Sequence, residues 1–358
     1  MTPLAALLAA RIRAGGPITL ADYMAECLLH PVHGYYTTRN PFGTAGDFTT
    51  APEVSQMFGE LLGLCLAQAW LDQGAPTPFA LAEMGPGRGT LMADILRATK
   101  AVPGFHDGLR LMLVEASRRL RAVQAETLAP WQPTFLDRVQ DLPHLPLFLV
   151  ANEFFDALPI RQFQRAGAGW RERLVGVMGG GLGFGLGPIR PVPALTPRLT
   201  DTAEGQIVEI CPSASAIVAE IATRVASKGA ALILDYGGWH SLGDTFQALQ
   251  AHAPVDPFAQ PGMADLTAHV DFAALVAACP PATTAYTTQG ALLSALGIAH
   301  RSERLAQNLS GPALQSHLAA THRLTAPQEM GTLFKVLAVH PVLPPLRPEV
   351  HDAGNPDL

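Results

Sequence analysis

Three groups of residues in this 358-residue sequence combine side chains and spacings that suit chemistry. The sharpest is Glu83-Met84-Gly85-Pro86-Gly87-Arg88-Gly89-Thr90-Leu91, placed where an apolar run gives way to helical spacing. Glycines there let the backbone pass close beneath a ligand and take torsions closed to other residues. The first turn of a following helix would offer free N–H groups to an electron-rich group. A dinucleotide-binding loop has the same outline, so NAD-dependent hydride transfer is one reading. Two details point away from it. Glu83 would repel a pyrophosphate, and Pro86 stiffens the loop while removing an N–H that a phosphate would use. The second group is Glu115, 28 positions after Gly87 and at the end of the next apolar run. A carboxylate there can accept hydrogen bonds from both hydroxyls of a ribose, although a helix-capping acid would look the same. Asp137 and Asp141 follow the third run, where the base of a nucleoside would lie; Asp141 is the candidate, and a loop acid without a ligand fits as well.

The third group is Asn152-Glu153-Phe154-Phe155-Asp156. Two carboxylates and an amide suit a cationic acceptor with many donors, such as a guanidinium, which takes forked bonds from carboxylates. An arginine nitrogen is a poor nucleophile because its lone pair is delocalised. Acids that localise the charge on the other nitrogens would assist attack. A turn-capping Asp156 and a strand-end Glu153 are the plainer reading. An acid at the methionine end and an acid at the ribose, with no phosphate to hold, describe S-adenosylmethionine. Methyl transfer from a sulfonium asks for alignment and exclusion of water more than for acid or base chemistry. A lid is therefore expected. The stretch from Gly34-Tyr35-Tyr36 through Gly46-Asp47-Phe48-Thr49-Thr50-Ala51-Pro52-Glu53 has glycine hinges and aromatic cover for that role, with Tyr36, Asp47, Phe48, Thr49 and Glu53 as candidates to face substrate. A packed surface loop is the alternative.

The elements that must position these groups read as an α/β fold. Phe79 to Met84, Arg110 to Val114, Pro133 to Leu136, Leu147 to Ala151 and Ala230 to Leu234 are short apolar runs separated by helical spacing, as in a parallel sheet built from βαβ units. Thr283 to Gln289 and Leu333 to Val339 bring the strands to seven. Helices are expected over Leu91 to Thr99, Ser117 to Thr127 and Ser215 to Ala226, and one starting at Pro52 is closed by Gly74. Arg161 to Val177 alternates like a hairpin and leads into the glycine-rich Gly176 to Gly187, an insertion expected on the sheet's edge. Trp239 to Pro281 reads as loop and short helix. Residues 1–75 thus form an N-terminal helical and lid region, and 76–340 the core with insertions at about 160–206 and 238–282; 341–358 are a proline-rich tail.

Composition narrows the classes. With 48% hydrophobic and 15% charged residues, the chain buries a large core. Its formal charge of −6 and lack of a basic run argue against nucleic acid as a partner. Cys27, Cys65, Cys211 and Cys279 form no C-x-x-C pair, and His30 and His33 lack a third ligand nearby, so no metal is expected and a reducing cytoplasm fits. Arg11 and Arg13 follow the first apolar run instead of preceding it, unlike a secretory signal. The longest apolar stretch, Leu61 to Leu71, falls short of the roughly 18 residues of a membrane span.

Motifs across nearly the whole chain resemble the MidA family. They include Gly34-Tyr35-Tyr36, Gly46 to Ser55, Phe58-Gly59-Glu60, Glu83 to Leu91, Asp94 to Arg97, Ala151 to Pro159, Leu234-Asp235-Tyr236-Gly237, Thr267 to Val270 and Met330 to Lys335. The resemblance implies a Rossmann-like, seven-stranded class I methyltransferase sheet with an N-terminal helical and loop cap and inserted hairpin and helical elements. It implies S-adenosylmethionine as cofactor, with S-adenosylhomocysteine as product and Gly85, Gly87 and Gly89 beneath it. The family's eukaryotic members are mitochondrial complex I assembly-factor arginine methyltransferases. The implied acceptor is therefore an arginine of a partner protein, in those members the 49-kDa subunit of complex I, dimethylated symmetrically. This chain reads as a bacterial, cytoplasmic relative. A cofactor-binding assembly protein that has lost catalysis is the other reading. One departure is visible: Glu115-Ala116-Ser117 replaces the more usual Glu-x-Ser-Pro, which leaves the start of the next helix less fixed.

Overall fold

The computed structural model describes residues 2–39, 50–280 and 282–339. The expected lid residues Asp47, Phe48 and Thr49 and the tail 341–358 lie outside the described residues.

Among the described residues the core is an eight-stranded sheet, seven strands along one path and the short Val270–Asp271 paired in parallel with Gly237 and Gly238 off it. Strands β1 (Phe79–Met84), β2 (Leu109–Val114), β3 (Thr134–Leu136) and β4 (Leu147–Asn152) lie in it. After the inserted strands β5 (Arg161–Ala166), β6 (Gly169–Met178), β7 (Gly181–Arg190) and β8 (Ile207–Ile210), it is rejoined by β9 (Gly229–Gly238). After β10 (Gln247–Gln250), β11 (Ala253–Val255) and β12 (Asp265–Thr267), it is completed by β13 (Thr284–Thr288) and β14 (Phe334–Val339). Their order across the sheet is β13-β14-β9-β4-β1-β2-β3. The pairs from β3 to β9 are parallel, and β14 runs antiparallel to both neighbours.

Every residue of β1 and β4 is buried, as expected of parallel strands covered on both faces. Alternation divides the side chains: Phe79 and Leu81 join one apolar cluster, and Ala80, Ala82 and Met84 the other. The first cluster is covered by helices α3 (Gln56–Asp72) and α4 (Thr90–Thr99), which follow α1 (Pro3–Gly15) and α2 (Leu20–Leu29). After α5 (Arg118–Thr127), helix α6 (Pro212–Val225) covers the second. Three further helices, α7 (Gln289–Ala295), α8 (Ile298–Ala306) and α9 (Gly311–Thr325), extend the first layer and are not among the expectations above. Buried Glu60 on α3 ties two of these elements together, accepting Arg97 of α4 and Arg301 of α8, the latter at 2.7 Å.

Several expectations need correcting. The helix expected from Pro52 is two: Ala51–Val54, then α3, divided at Ser55, whose extended backbone (φ −159°, ψ 136°) lets its hydroxyl cap Met57 N–H. The insertion after β4 does not extend the edge of the central sheet. It is a separate antiparallel sheet of β5 to β8 plus Ile18–Thr19. Its glycine-rich part is strand β7, because backbone groups carry the ladder whatever the side chains, and Leu182 and Phe184 supply its apolar side. The segment after β9 holds the three-stranded sheet β11-β10-β12, too short and polar to announce itself by alternation. With the N-terminal helices, these inserted sheets form a third apolar cluster. Helix α5 begins without a proline because Ser117 caps it, its hydroxyl accepting the Leu120 N–H at 3.4 Å.

Close approach of α3 to α4 sets where the glycine loop begins its helix. A Cβ on Gly63 would sit 2.9 Å from Ile95 Cα, and one on Gly59 would sit 2.6 Å from Asp94 Cβ. Gly63→Leu should lower stability by about 2 kcal/mol in urea unfolding, since overpacking outweighs the gain in helix propensity. Gly15→Ala, where a Cβ meets nothing within 4 Å, should be neutral or stabilising; equal effects at the two sites would refute this packing argument.

Candidate active site

The site lies at the carboxyl ends of β1, β2, β4 and β9, where ligands bind in open parallel sheets. Gly85, Gly87 and Gly89 take φ of 60°, 55° and 81°, a left-handed region that side chains avoid, and Gly89 is the N-cap of α4. The loop closes on itself through Gly89 N–H to Pro86 C=O at 2.7 Å. Glu53 clamps it from the Ala51–Val54 turn: one oxygen accepts Thr90 Oγ1 at 2.7 Å, and the other lies 3.6 Å from Arg88. Glu53 thus meets the loop directly, and the chain on one side of the expected lid is anchored to it.

Glu83 is 3% exposed, and its Oε2 has no hydrogen-bond partner among the described residues. Burial pushes its carboxyl up to about 8, opposed by the Met92 N–H and aided by the nearby charge of Glu115. Glu115 is also buried, and burial raises its carboxyl above the ordinary range. Its oxygens accept Ser117 N–H at 2.7 Å and Gln124 Nε2 at 3.1 Å, and the Ala116 N–H also acts on it. Gln124 also donates to Gly87 C=O at 2.8 Å, so one buried amide joins the loop to the acid.

Between them opens a cleft of about 750 Å³, part of it open to solvent. It is lined by Gly85, Gly87, Glu115, Leu120, Phe154 and Tyr36, with Leu28 and Leu29 of α2 above. A smaller hollow of about 410 Å³, also touching Gly85, Gly87 and Glu153, is lined by Glu83, Asn152, Pro86, Thr90 and Glu53. The structure therefore gathers all but one of the expected cofactor-facing residues, with Gly89 just behind as the helix cap. Asp141 is the exception. It sits on the turn Val139–Asp141, paired with Arg138 at 3.0 Å, and does not line the cleft.

At the end of β4, Asn152 Nδ2 donates to Glu153 Oε1 at 2.9 Å while its own Oδ1 has no partner among the described residues. Glu153 takes φ of 52°, uncommon for a residue with a side chain, and so turns the chain out of the sheet. Its carboxyl is raised to about 7 by burial and by Asp156, partly offset by Asn152, Ala51 N–H and Arg323. Asp156 is buried, and its Oδ1 is likewise unpartnered among the described residues.

The sequence reading missed the residues beneath this pair. Asp235, fully buried near the end of β9, accepts the N–H groups of Phe155 (2.9 Å), Asp156 (3.2 Å) and Tyr236 (3.0 Å). Burial and the adjacent Asp156 and Glu153 push its carboxyl up. The Tyr236 hydroxyl bonds Asp156. Tyr36 donates to Asp265 Oδ1 at 2.9 Å and accepts Ser117 Oγ at 2.8 Å through its carbonyl, linking the N-terminal region to both ends of the site. An acid closing an apolar strand was the signal used for Glu83 and Glu115, and it applies equally to Leu234-Asp235. Asp265 and Gln124 carry no comparable local signal. Among the described residues, no group of three or more His, Cys, Asp or Glu could hold a metal ion. Nor is any helix among them long and apolar enough to cross a membrane.

A carboxyl raised from 4.5 to about 8 binds its proton more tightly folded than unfolded. Its share of stability is present at pH 4 and is lost as pH rises towards 8. Thermal melting of wild type and Glu83→Gln should therefore diverge in the variant's favour between pH 5 and pH 8; a gap independent of pH would contradict the burial argument.

Comparison with known proteins agrees with this geometry. Residues 61–290 match a family described as S-adenosyl-L-methionine-dependent methyltransferases. The mitochondrial protein arginine methyltransferase NDUFAF7 of Danio rerio is 37% identical over 93% of this chain and 85% of its own length. The Homo sapiens protein of the same name is 36% identical over 95% and 84%. A crystal structure of a Burkholderia thailandensis protein bound to S-adenosyl-homocysteine is 33% identical, with a TM-score of 0.81 over 94% of this chain and 91% of that one. The sheet order above, the matched family and these relatives select a methyl donor over a dinucleotide for the glycine loop. The chain belongs to the MidA family and is a class I S-adenosylmethionine-dependent methyltransferase.

Proposed function

We propose that the chain methylates an arginine side chain of a partner protein, and that Glu153 and Asp156 receive the guanidinium. The observation that carries this reading is a set of acids at the ends of β4 and β9, with the Asp156 Oδ1 buried and unpartnered among the described residues. Unpaired buried acceptors favour a ligand rich in N–H donors and positive charge, and a guanidinium offers five donors in a fixed fork. The relatives named as protein arginine methyltransferases support the same acceptor. By family resemblance, the partner is a complex I-type dehydrogenase subunit of the 49-kDa kind, dimethylated symmetrically, in a cytoplasm that makes one.

The residues at the glycine loop fit the cofactor. Glu83 Oε2 and Asn152 Oδ1 are buried acceptors awaiting a donor, and the left-handed glycines leave the cleft floor bare. In this reading Glu83 and Asn152 meet the methionine end, Glu115 meets the ribose, and Gly85, Pro86, Gly87, Gly89 and Thr90 shape the seat between. When bound, S-adenosylmethionine supplies a methyl carbon activated by a sulfonium. Tyr36, Thr50, Pro52 and Glu53 border the cleft and help exclude water. Glu153 and Asp156 orient the acceptor, draw its charge away from the attacking nitrogen, and take the proton that nitrogen must lose. That proton then passes to solvent.

Extract incubated with methyl-labelled cofactor should gain label on arginine when this protein is added, as read by mass spectrometry. Glu153→Gln and Asp156→Asn should each slow labelling by about tenfold or more, with S-adenosylhomocysteine affinity by calorimetry nearly unchanged. The rate should rise with pH through about 7, where Glu153 loses its proton. Label on other residue types only, or normal rates in both variants, would overturn the proposal.

A further inference from the structure

We propose that Asp235 is a positioning residue for methyl transfer, holding the turn that presents Glu153 and Asp156 while setting their charge; this rests on the acceptor reading above. The chain leaves β4 at Glu153, whose N–H still meets Leu234 C=O at 3.0 Å as the last rung of the ladder with β9. Beyond that rung the backbone has turned away at φ 52°, and the N–H groups of Phe155 and Asp156 would have no strand to pair with. Asp235 Oδ2 takes both, at 2.9 and 3.2 Å, and its Oδ1 takes Tyr236 N–H.

Asp235 is 0% exposed and so does not touch the acceptor. A neutral asparagine has one acceptor oxygen for these three N–H groups and would turn its NH2 against one of them, which loosens the turn, and the residue present is also an acid facing two other acids. From the turn it faces Glu153 and Asp156, and on its own strand Tyr236. On β14 its register partner is Lys335, whose amine donates to Thr332 C=O. Arg323 of α9 acts on Glu153 from the outer side, and Asp265 acts on Tyr236. A like charge this close keeps a proton among the three acids until a cation arrives, which ties ionisation of the pair to entry of the acceptor.

The test is methyl transfer from labelled S-adenosylmethionine into extract protein across pH 5.5 to 9, with wild type, Asp235→Asn, Glu153→Gln and Asp156→Asn. S-adenosylhomocysteine binding by calorimetry serves as the check on folding. Asp235→Asn should bind the product normally, transfer about tenfold more slowly as the turn loosens, and move the ascending limb of the pH profile acidward by about one unit, because taking one acid out of the coupled set eases ionisation of the other two. A lowered plateau with an unmoved limb would make Asp235 merely structural and overturn the proposal, as would an unchanged rate. Should Asp235→Asn fail to fold, Asp235→Ser, which keeps one acceptor, carries the same comparison. Failure of both to fold would assign the residue to the fold and overturn the proposal too. Slowing in Glu153→Gln and Asp156→Asn with none in Asp235→Asn would sink this inference alone, whereas normal transfer in those two variants would sink the acceptor reading beneath it.

Discussion

Burying a carboxylate without a cation beside it is unfavourable, and proteins usually avoid it or neutralise the group. Along one rim of this sheet the fold does so repeatedly: Glu83, Glu115, Asp156 and Asp235 close four different strands or the turns after them, each less than a tenth exposed. Backbone N–H groups and the side-chain amide of Gln124 partly satisfy them, and some oxygens are left over. Glu60, paired with Arg97 and Arg301, lies in the helical layer, and the acid paired at the loop itself is Glu53, 3.6 Å from Arg88. Structure and reaction share this distribution. The helical layer is stabilised by compensated charge, and the rim holds charge in reserve for a cationic ligand.

Holding such a rim requires stiff surroundings. Strands β1 and β4 are buried on both faces, so their ends cannot shift without disturbing both apolar clusters. Two close glycine contacts lock α3 against α4, and that seats Gly89 as the helix cap. Glu53 and Gln124 then hold the loop from opposite sides, one through Thr90 and the other through the Gly87 carbonyl. The inserted sheets and N-terminal helices bring Tyr36 and Asp265 to the same place, so the added elements complete the site rather than decorate the fold.

Legibility in the sequence followed the range of the interactions. Strands β1, β2 and β4 were readable because burial on both faces leaves an unbroken apolar run. The glycine loop was readable because left-handed torsions leave a mark at single positions. Glu83, Glu115 and Glu153 could be placed from their offset to strand ends, and Asp235 obeys the same rule although it was not singled out. Strand β7 was hidden because glycine carries no alternation, and the β10–β12 sheet because its strands are three or four residues long. Asp265 and Gln124 enter the site through contacts 229 and 37 residues away in the chain, and nothing local marks them. Asp141 shows the converse: an acid after a strand looked like a ligand group, yet an arginine three residues earlier had claimed it.

The central claim is that the rim acids retain protons until a cationic ligand displaces them. Calorimetric titration of the protein with S-adenosylmethionine at pH 7, repeated in buffers of different ionisation enthalpy, reads this directly. A carboxyl poised near 8 beside the incoming positive charge should release its proton, so the apparent binding enthalpy should change with the buffer in the direction of proton release. An enthalpy identical in every buffer would mean that those acids are already ionised in the unliganded protein, and the account would be wrong.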